Sequence, residues 1–177
     1  SLINRGNVAE TFHATLEAFV EKEIFSRLSG TEKRLLGAIA VFREPVPIQA
    51  IHQIEGSVDL IDELVEKGLA RQSDAENFDV HDLVREFLLR SMDYEMKTDL
   101  HTAAVKWYRG KMDDAADRIE FIHHLSQTGD EEGLAEVLIT EGHGLVSSGH
   151  TELLSILNSL ESSDFDSKSR GLIRELK

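Results

Sequence analysis

Apolar residues recur at intervals of three and four along most of the chain, the spacing of one face of an α-helix. Two local signals mark helix boundaries within this pattern: Ser29 followed by Glu32 is a capping-box pattern, and Gly68 occupies a position that favours left-handed geometry. Ser57 is the expected cap of a helix that Gly68 ends. In the first half, the pattern therefore predicts helices over residues 8–27, 30–43, 48–54 and 57–67.

A different pattern interrupts the helices near residues 69–80. The segments 69–73 and 78–80 read as short β-strands, and the polar residues 74–77 between them fit a four-residue connection. We expect this two-stranded hairpin to be the only substantial sheet. The order of three helices, a hairpin and a fourth helix is that of a winged helix, and it predicts a winged helix-turn-helix domain over residues 29–94.

Helical spacing continues without alternation over residues 95–177. It predicts helices over residues 94–110 and 113–128, then shorter pieces capped by Asp130 and Asp164. The glycines expected to separate these pieces are Gly129, Gly142, Gly144 and Gly149. The residues expected to face inward on the two long helices are Leu100, Ala103, Ala104, Trp107, Tyr108, Ala115, Ala116, Ile119, Ile122 and Leu125. Such helices are typical of stacked hairpins, so the fold class is mainly α, with a tetratricopeptide-like arm.

The junction between the hairpin and the next helix carries the main candidate for chemistry. Asp79 is the predicted N-cap of this helix, with Asp82 in capping-box position and a core stripe at Leu83, Val84, Phe87 and Leu88. His81 then falls in the first helical turn, where unpaired N–H groups and the helix dipole favour an anion such as phosphate. The alternative is a histidine that caps or packs locally.

Composition narrows the classes of partner. The chain has 177 residues, 41% of them hydrophobic, a net charge of −14 and no cysteine. Acidity argues against nucleic acid or an anionic membrane as partner, and a chain without cysteine has neither disulfides nor a thiolate zinc site. The sequence shows no membrane span and no signal peptide, so we expect a cytoplasmic protein. Because the chain starts on Ser1 rather than on methionine, we expect it to be an excised fragment of a larger protein.

Three segments resemble a known family. They are L-S-G-T-E-K-R-L-L-G-A-I-A-V-F-R-E-P-V-P at 28–47, G-L-A-R-Q at 68–72 and V-H-D-L-V-R-E-F-L at 80–88. In order, they are similar to the winged-helix portion of STAND-class signal-transduction ATPases, which include plant disease-resistance NLR proteins, apoptosome adaptors and the bacterial maltose-operon activator. Val80-His81-Asp82 resembles the M-H-D motif of that class. H-T-A-A-V-K-W-Y at 101–108 and H-L-S-Q-T-G-D at 124–130 look like the start of the superhelical arm in prokaryotic members.

The resemblance implies a role for each part. Residues 1–28 would be the end of the ATPase module, 29–94 the winged helix and 95–177 the arm. His81 would contact the β-phosphate of bound ADP and hold an inactive state, so ADP and ATP are the expected cofactors of the parent protein, with none in the fragment. The expected partners are the missing ATPase domain of the same chain and a protein bound by the arm.

The family's phosphate-binding loop is missing from this sequence. The nearest match to G-x-x-x-x-G-K-[ST] runs from Gly144 to Thr151, but His150 replaces the lysine and the segment follows a helix rather than a strand. We therefore expect a non-catalytic chain that couples the nucleotide state of its parent to the arm, with no ATPase activity of its own.

Other functions find weaker support. A DNA-binding winged-helix regulator is the alternative, but the helix over residues 57–67 has a net charge of −3 and lacks the cations that phosphate contacts require. Glu120 and His123 have the E-x-x-H spacing of carboxylate-bridged metal sites, which is at most half a site, so no metal is expected. Trp107 and Tyr108 fit a helical core better than a ligand platform.

Overall fold

The computed structural model describes residues 21–22, 25–56, 58–161, 171 and 174. The chain divides into two compact units, Ser1–Asp93 and Tyr94–Lys177. Most of the predicted helix over residues 8–27 lies outside the described residues, as do the predicted caps Ser57 and Asp164. The assignment of the segments to an ATPase end, a winged helix and an arm stays a prediction.

The first unit combines short helices with a small sheet. In chain order its elements are a 3₁₀ turn Phe25–Arg27, α1 Gly30–Ala40, β1 Val46–Pro47, α2 Ile48–Glu55, α3 Ile61–Glu66, β2 Ala70–Gln72, β3 Asn77–Val80 and α4 Asp82–Ser91. Its largest fully buried side chains are Phe42, Leu36, Ile39, Ile51 and Leu64. The core therefore surrounds α1, which packs against α2, α3, α4 and β3.

The predicted capping box at the start of α1 is confirmed. The backbone N–H of Glu32 donates to Ser29 Oγ at 3.2 Å, and the backbone N–H of Ser29 donates to Glu32 Oε2 at 2.8 Å. Lys67, which follows α3, forms an ion pair with the same carboxylate. The hydrogen bond from Lys67, then those from Ser29, lower the pKa of Glu32 to about 2. This helix end is thus held locally by its cap and at longer range by a cation.

The sheet has three strands in the order β1-β3-β2, all antiparallel, where the sequence predicted two. Val46 pairs with Phe78 and Pro47 with Asn77. A proline cannot donate to a ladder, so it is tolerated only at an edge such as β1. A strand of two residues, one of them a proline, shows no alternation, which is why the sequence pattern missed this strand.

The hairpin connection lies one residue earlier than predicted. It spans residues 73–76, and β3 begins at Asn77. The carboxylate of Asp74 accepts the backbone N–H groups of Glu76 and Asn77 at 3.0 Å each, which closes the turn before Asn77. Helix α3 begins late, at Ile61 with Leu60 as N-cap, rather than near Ser57.

Left-handed glycines end α2 and follow α3, as the sequence predicted for Gly68. Gly56 has φ of 74° and Gly68 has φ of 70°. Other residues reach this conformation only at a steric cost.

Every described element of the second unit is a helix. Its elements are α5 Tyr94–Arg109, α6 Ala115–Ser126, α7 Glu131–Val137, a π-helical turn Leu138–Gly142, α8 His143–Ser147 and α9 Thr151–Glu161. Asp130 caps α7 as predicted, since its carboxylate accepts the N–H of Gly133 at 2.9 Å. The fold is thus mainly helical with a small antiparallel sheet, consistent with an α-helical repeat arm.

Two predicted helix breaks are absent. Gly142 has φ of −59° and ψ of −45°, and Gly144 lies inside α8, so the chain stays helical from α7 through α8. Glycine permits a break without requiring one, and here the chain accommodates a π-helical turn instead. The breaks occur at Gly129 and Gly149, whose φ values are 78° and 85°.

The predicted inward faces of α5 and α6 are partly confirmed, because the buried residues include Leu100, Ala104, Tyr108, Ile119, Ile122 and Leu125. Ala103 and Trp107 are half-buried and Ala116 is exposed. Buried residues that the apolar pattern omitted are His101, Val105, Glu120, Phe121 and His124. Three of these are polar, so a search for apolar spacing alone could not place them.

Candidate functional site

The junction between β3 and α4 places His81 at the position that caps the helix. His81 has φ of −60° and ψ of 140°, and its Nδ1 accepts the backbone N–H of Leu83 at 3.4 Å. Its carbonyl accepts the N–H of Arg85 at 2.9 Å, which starts the helical ladder. His81 is therefore the N-cap rather than a first-turn residue, and the predicted N-cap Asp79 is wrong.

The capping hydrogen bond determines which imidazole nitrogen of His81 carries a proton. An imidazole nitrogen that accepts a hydrogen bond carries no proton, so in the neutral ring the proton lies on Nε2. The side chain is exposed. His81 thus presents an N–H donor beside the amino end of a ten-residue helix, where backbone dipoles favour an anion.

Asp79 is buried in β3 and binds two arginines. Arg71 donates to Asp79 Oδ2 from Nη2 at 2.5 Å and from Nε at 3.2 Å. Arg85 forms an ion pair with Oδ1, which also accepts the backbone N–H of Val80 at 2.8 Å. Burial raises the pKa of Asp79, but the hydrogen bonds from Arg71 and Val80 and the charges of both arginines outweigh it, so the pKa is lowered overall. Asp79 is a carboxylate held ionised inside the unit.

Arg85 joins this cluster to the end of α1. Its Nη1 donates to the carbonyl of Ala40 at 2.8 Å and to the carbonyl of Phe42. A cation at the carboxyl end of a helix satisfies carbonyls that have no intrahelical partner. The guanidinium of Arg85 in α4 therefore connects that helix to β3 and to the end of α1. His81 lies between β3 and α4 in sequence.

Sequence reasoning missed the Asp79–Arg71–Arg85 cluster. One signal was available, because Arg71 and Asp79 are opposite each other in the hairpin register. The predicted core stripe of α4 is half correct: Val84 and Leu88 are buried, whereas Leu83 and Phe87 are half-buried. Phe87 packs its ring 4.5 Å from that of Phe25, measured between centroids.

Three other candidate sites from the sequence can be placed in the structure. The segment from Gly144 to Thr151 starts inside α8, so it lacks the strand and loop of a phosphate-binding motif. Within the described part of the chain, no three His, Asp or Glu side chains cluster as metal ligands. Trp107 is half-buried beneath the Lys111 ammonium, 4.5 Å from the ring centroid, and Tyr108 is buried.

The second unit instead buries two histidines against each other. His101 Nδ1 and His124 Nδ1 lie 2.9 Å apart, so the two nitrogens share one proton between them. The ring of Tyr108 stacks on that of His124 with centroids 5.5 Å apart. Burial, and then the charge of Lys97, lower the pKa of His101 to about 4. His101 is therefore neutral near pH 7.

Comparisons with known proteins show a similarity in fold to solved structures. No family model matches the chain, and no curated protein matches it. Among solved structures, the chain is similar to a signal transduction ATPase with numerous domains (STAND) protein with a tetratricopeptide repeat sensor from Pyrococcus horikoshii, with a TM-score of 0.68 and 19% identity. The similarity covers 89% of this chain and 27% of that one.

At 19% identity, the similarity to the STAND protein speaks for the fold alone. The chain shares the fold of about a quarter of that protein, over most of its own length. Among the described residues, no helix combines the length and apolarity needed to cross a bilayer.

Proposed function

We propose that this chain is the winged-helix and helical-arm region of a STAND-type ATPase. In this proposal the unit ending at Asp93 is the winged helix, and the unit starting at Tyr94 is a tetratricopeptide-like arm that binds a protein partner. The observation that carries the proposal is that the similarity to a STAND protein covers 89% of this chain. Since neither unit alone makes up that share of the chain, the similarity includes parts of both units.

His81 is the residue that we assign to nucleotide sensing. Three features support this role: the side chain is exposed, its Nε2–H is a donor, and it lies at the amino end of α4. In the longer protein it would donate to a phosphate of ADP bound in the ATPase domain and so stabilise the ADP-bound state. The buried ion pairs of Asp79 would hold the strand and helix on either side of it.

ADP release from the longer protein that carries this segment tests the assignment. His81→Ala removes one charge-assisted hydrogen bond, worth about 1.5–3 kcal/mol, so we expect a fluorescent ADP analogue to dissociate about ten- to a hundredfold faster. His52→Ala is the matched control, because His52 is an exposed histidine on α2 of the same unit. Equal release from both variants would remove His81 from the site, and failure of the longer protein to bind ADP would reject the STAND proposal.

The isolated chain would not hydrolyse ATP in this proposal. One helix end with one histidine supplies only part of a phosphate cradle, and it lacks the lysine and metal ligands of a phosphate loop. Phosphate release from ATP should stay at the level of a buffer blank across purification steps. Turnover that rises in proportion to purified chain would contradict a non-catalytic role.

Direct DNA binding gains no support from the structure. The side chains that α3 exposes are Asp62, Glu63 and Glu66, and Lys67 pairs with Glu32 and Glu63. Non-specific affinity for DNA comes mainly from cations that replace counterions. Titration of duplex DNA at two salt concentrations should show no salt-dependent binding; a steep salt dependence would favour the DNA-binding regulator instead.

A further inference from the structure

A cavity lies in the second unit, beside the π-helical turn. It is bounded by α6, by the turn Leu138–Gly142, by α8 and by the turn that leads into α9, and it has a volume of about 190 Å³. At about 30 Å³ per water molecule, this is room for roughly six waters or one small organic molecule. π-helical turns inside α-helices are frequent at functional sites.

Gly144 keeps one wall of this cavity open. It lies in the interior of a helical segment, where glycine costs about 0.5–1 kcal/mol relative to alanine. An added Cβ at Gly144 would meet no atom within 4 Å among the described residues, so close packing does not account for the glycine. Space for a bound molecule would account for it.

Arg118 supplies the cationic side of the cavity. Its Nη1 lies 3.5 Å from Glu141 Oε2, a long ion pair. Its Nε is buried and has no acceptor among the residues that the structure describes. A guanidinium that holds its one ion pair at this long distance can bind a carboxylate more closely.

Other residues that line the cavity offer acceptors. The hydroxyl of Ser148 donates to the carbonyl of Gly144 at 2.8 Å, and that of Thr140 donates to the carbonyl of Glu136 at 3.1 Å. Each hydroxyl proton is thus engaged, which leaves the oxygen lone pairs to accept. The carboxylate of Glu141 lines the same cavity, and His150 lies at its edge near α9. The cavity therefore carries one cation and one anion side by side.

We propose that this cavity binds a small zwitterion of the α-amino acid type. Its carboxylate binds the Arg118 guanidinium, and its ammonium binds Glu141 with the hydroxyl oxygens of Thr140 and Ser148. A simple anion would be repelled by Glu141 and a simple cation by Arg118, whereas adjacent opposite charges on the ligand match both. This site lies wholly in the second unit and depends on neither His81 nor nucleotide.

The test is an NMR titration of the ¹⁵N-labelled full chain with each of the common α-amino acids. We expect at least one of them to shift the amides of Gly144, Ser148 and Gly149 saturably. Acetate and ethylamine, each carrying half of the charge pattern, should need at least about tenfold higher concentrations, because each omits one charge pair worth more than about 1.4 kcal/mol. Acetate binding as tightly as the best amino acid would overturn the zwitterion in favour of a plain anion site.

Three variants locate the site. Arg118→Met keeps the side-chain length without the charge and should weaken binding by at least about tenfold. Arg109→Met, at an exposed arginine of α5, is the matched control and should bind like the parent chain. Gly144→Leu should fill the cavity and abolish binding while the amide spectrum stays dispersed. Saturable shifts that survive both Arg118→Met and Gly144→Leu, or no saturable shift with any amino acid, would reject the proposal.

Discussion

The two units bury ionisable side chains in opposite ways. In the first unit, the buried carboxylates of Glu32 and Asp79 are held by lysine and arginine. In the second, the buried imidazoles of His101 and His124 share a hydrogen bond with each other. The first arrangement keeps its carboxylates charged, whereas burial in the second keeps His101 neutral near pH 7.

This difference determines the pH range in which each unit loses stability. A carboxylate whose pKa is lowered by folding stabilises above its ordinary pKa and loses that contribution only as the pH falls through the folded value. A histidine whose pKa is lowered by burial stabilises above pH 6.5 and loses that contribution between pH 6.5 and its folded value of about 4. Mild acid should therefore weaken the second unit through His101, while the contributions of Glu32 and Asp79 to the first unit persist.

Removal of the buried carboxylate in the first unit should have the largest effect. Asp79→Ala leaves Arg85 half-buried without its counter-ion, and breaking a buried pair in this way costs about 3 kcal/mol. Urea unfolding followed by far-UV circular dichroism should show the loss. Trp107 is the only tryptophan in the sequence and lies in the second unit, so its fluorescence transition should not move.

Asp62→Ala is the control for this substitution, because Asp62 is exposed on α3. Its effect should be within about 0.5 kcal/mol. If Asp79→Ala proves as mild as Asp62→Ala, the ion pairs of Asp79 do not hold the first unit together.

Mild acid should produce the next largest effect, and in the second unit. The pKa of His101 is about 4 in the folded chain and about 6.5 in the unfolded chain. Its contribution to the free energy of unfolding should therefore fall by about 2 kcal/mol between pH 7 and pH 5. The expected result is a fall in the urea midpoint of the Trp107 fluorescence transition over this range. His101→Leu should flatten that dependence.

The control for the pH effect is His143→Leu, at an exposed histidine of α8 in the same unit. It should keep the pH dependence of the parent chain. A Trp107 transition that is independent of pH between 7 and 5 in the parent chain would remove the contrast between the two units.

Loss of the capping box should have a smaller effect on the first unit. Ser29→Ala removes the acceptor for the backbone N–H of Glu32 and should cost about 1 kcal/mol. Thr31→Ala, at an exposed position in the first turn of α1, is the control. Both are measured by urea unfolding, and equal midpoints for the two variants would show that the cap contributes little.

The smallest effect is expected at His81. The side chain is exposed and its hydrogen bond to Leu83 is long at 3.4 Å, so His81→Ala should change the free energy of unfolding by less than about 1 kcal/mol. His81→Asn keeps a capping acceptor and should recover the stability that His81→Ala loses. Thermal unfolding of the three chains measures this; a loss above about 2 kcal/mol would make His81 a structural residue.

Local chemistry could be predicted from the sequence, and so could most helices. The capping box of Ser29 and Glu32, the cap at Asp130 and the turn glycines Gly68 and Gly129 all act within a few residues of chain. Their partners are neighbours in sequence, so a pattern of residue types is enough to identify them. The helical spacing of apolar residues likewise predicted both long helices of the second unit.

The candidate site was only partly predictable for the same reason. The sequence correctly put His81 at the amino end of a helix that follows a strand. It named the wrong cap, because Asp79 has a residue type that caps helices, and its preference was overridden by Arg71 and Arg85. The alternative of a histidine that caps locally describes the geometry of His81, while its role toward nucleotide stays a prediction.

What only the tertiary structure decided are the contacts between residues far apart in sequence. The third strand exists because Val46 meets Phe78, and the histidine pair exists because α5 brings His101 to His124. The helix continues through Gly142 and Gly144, because glycine allows a break but only packing decides whether one occurs. A sequence pattern records which residues can be buried or can turn; which partner each one meets is settled when the elements pack.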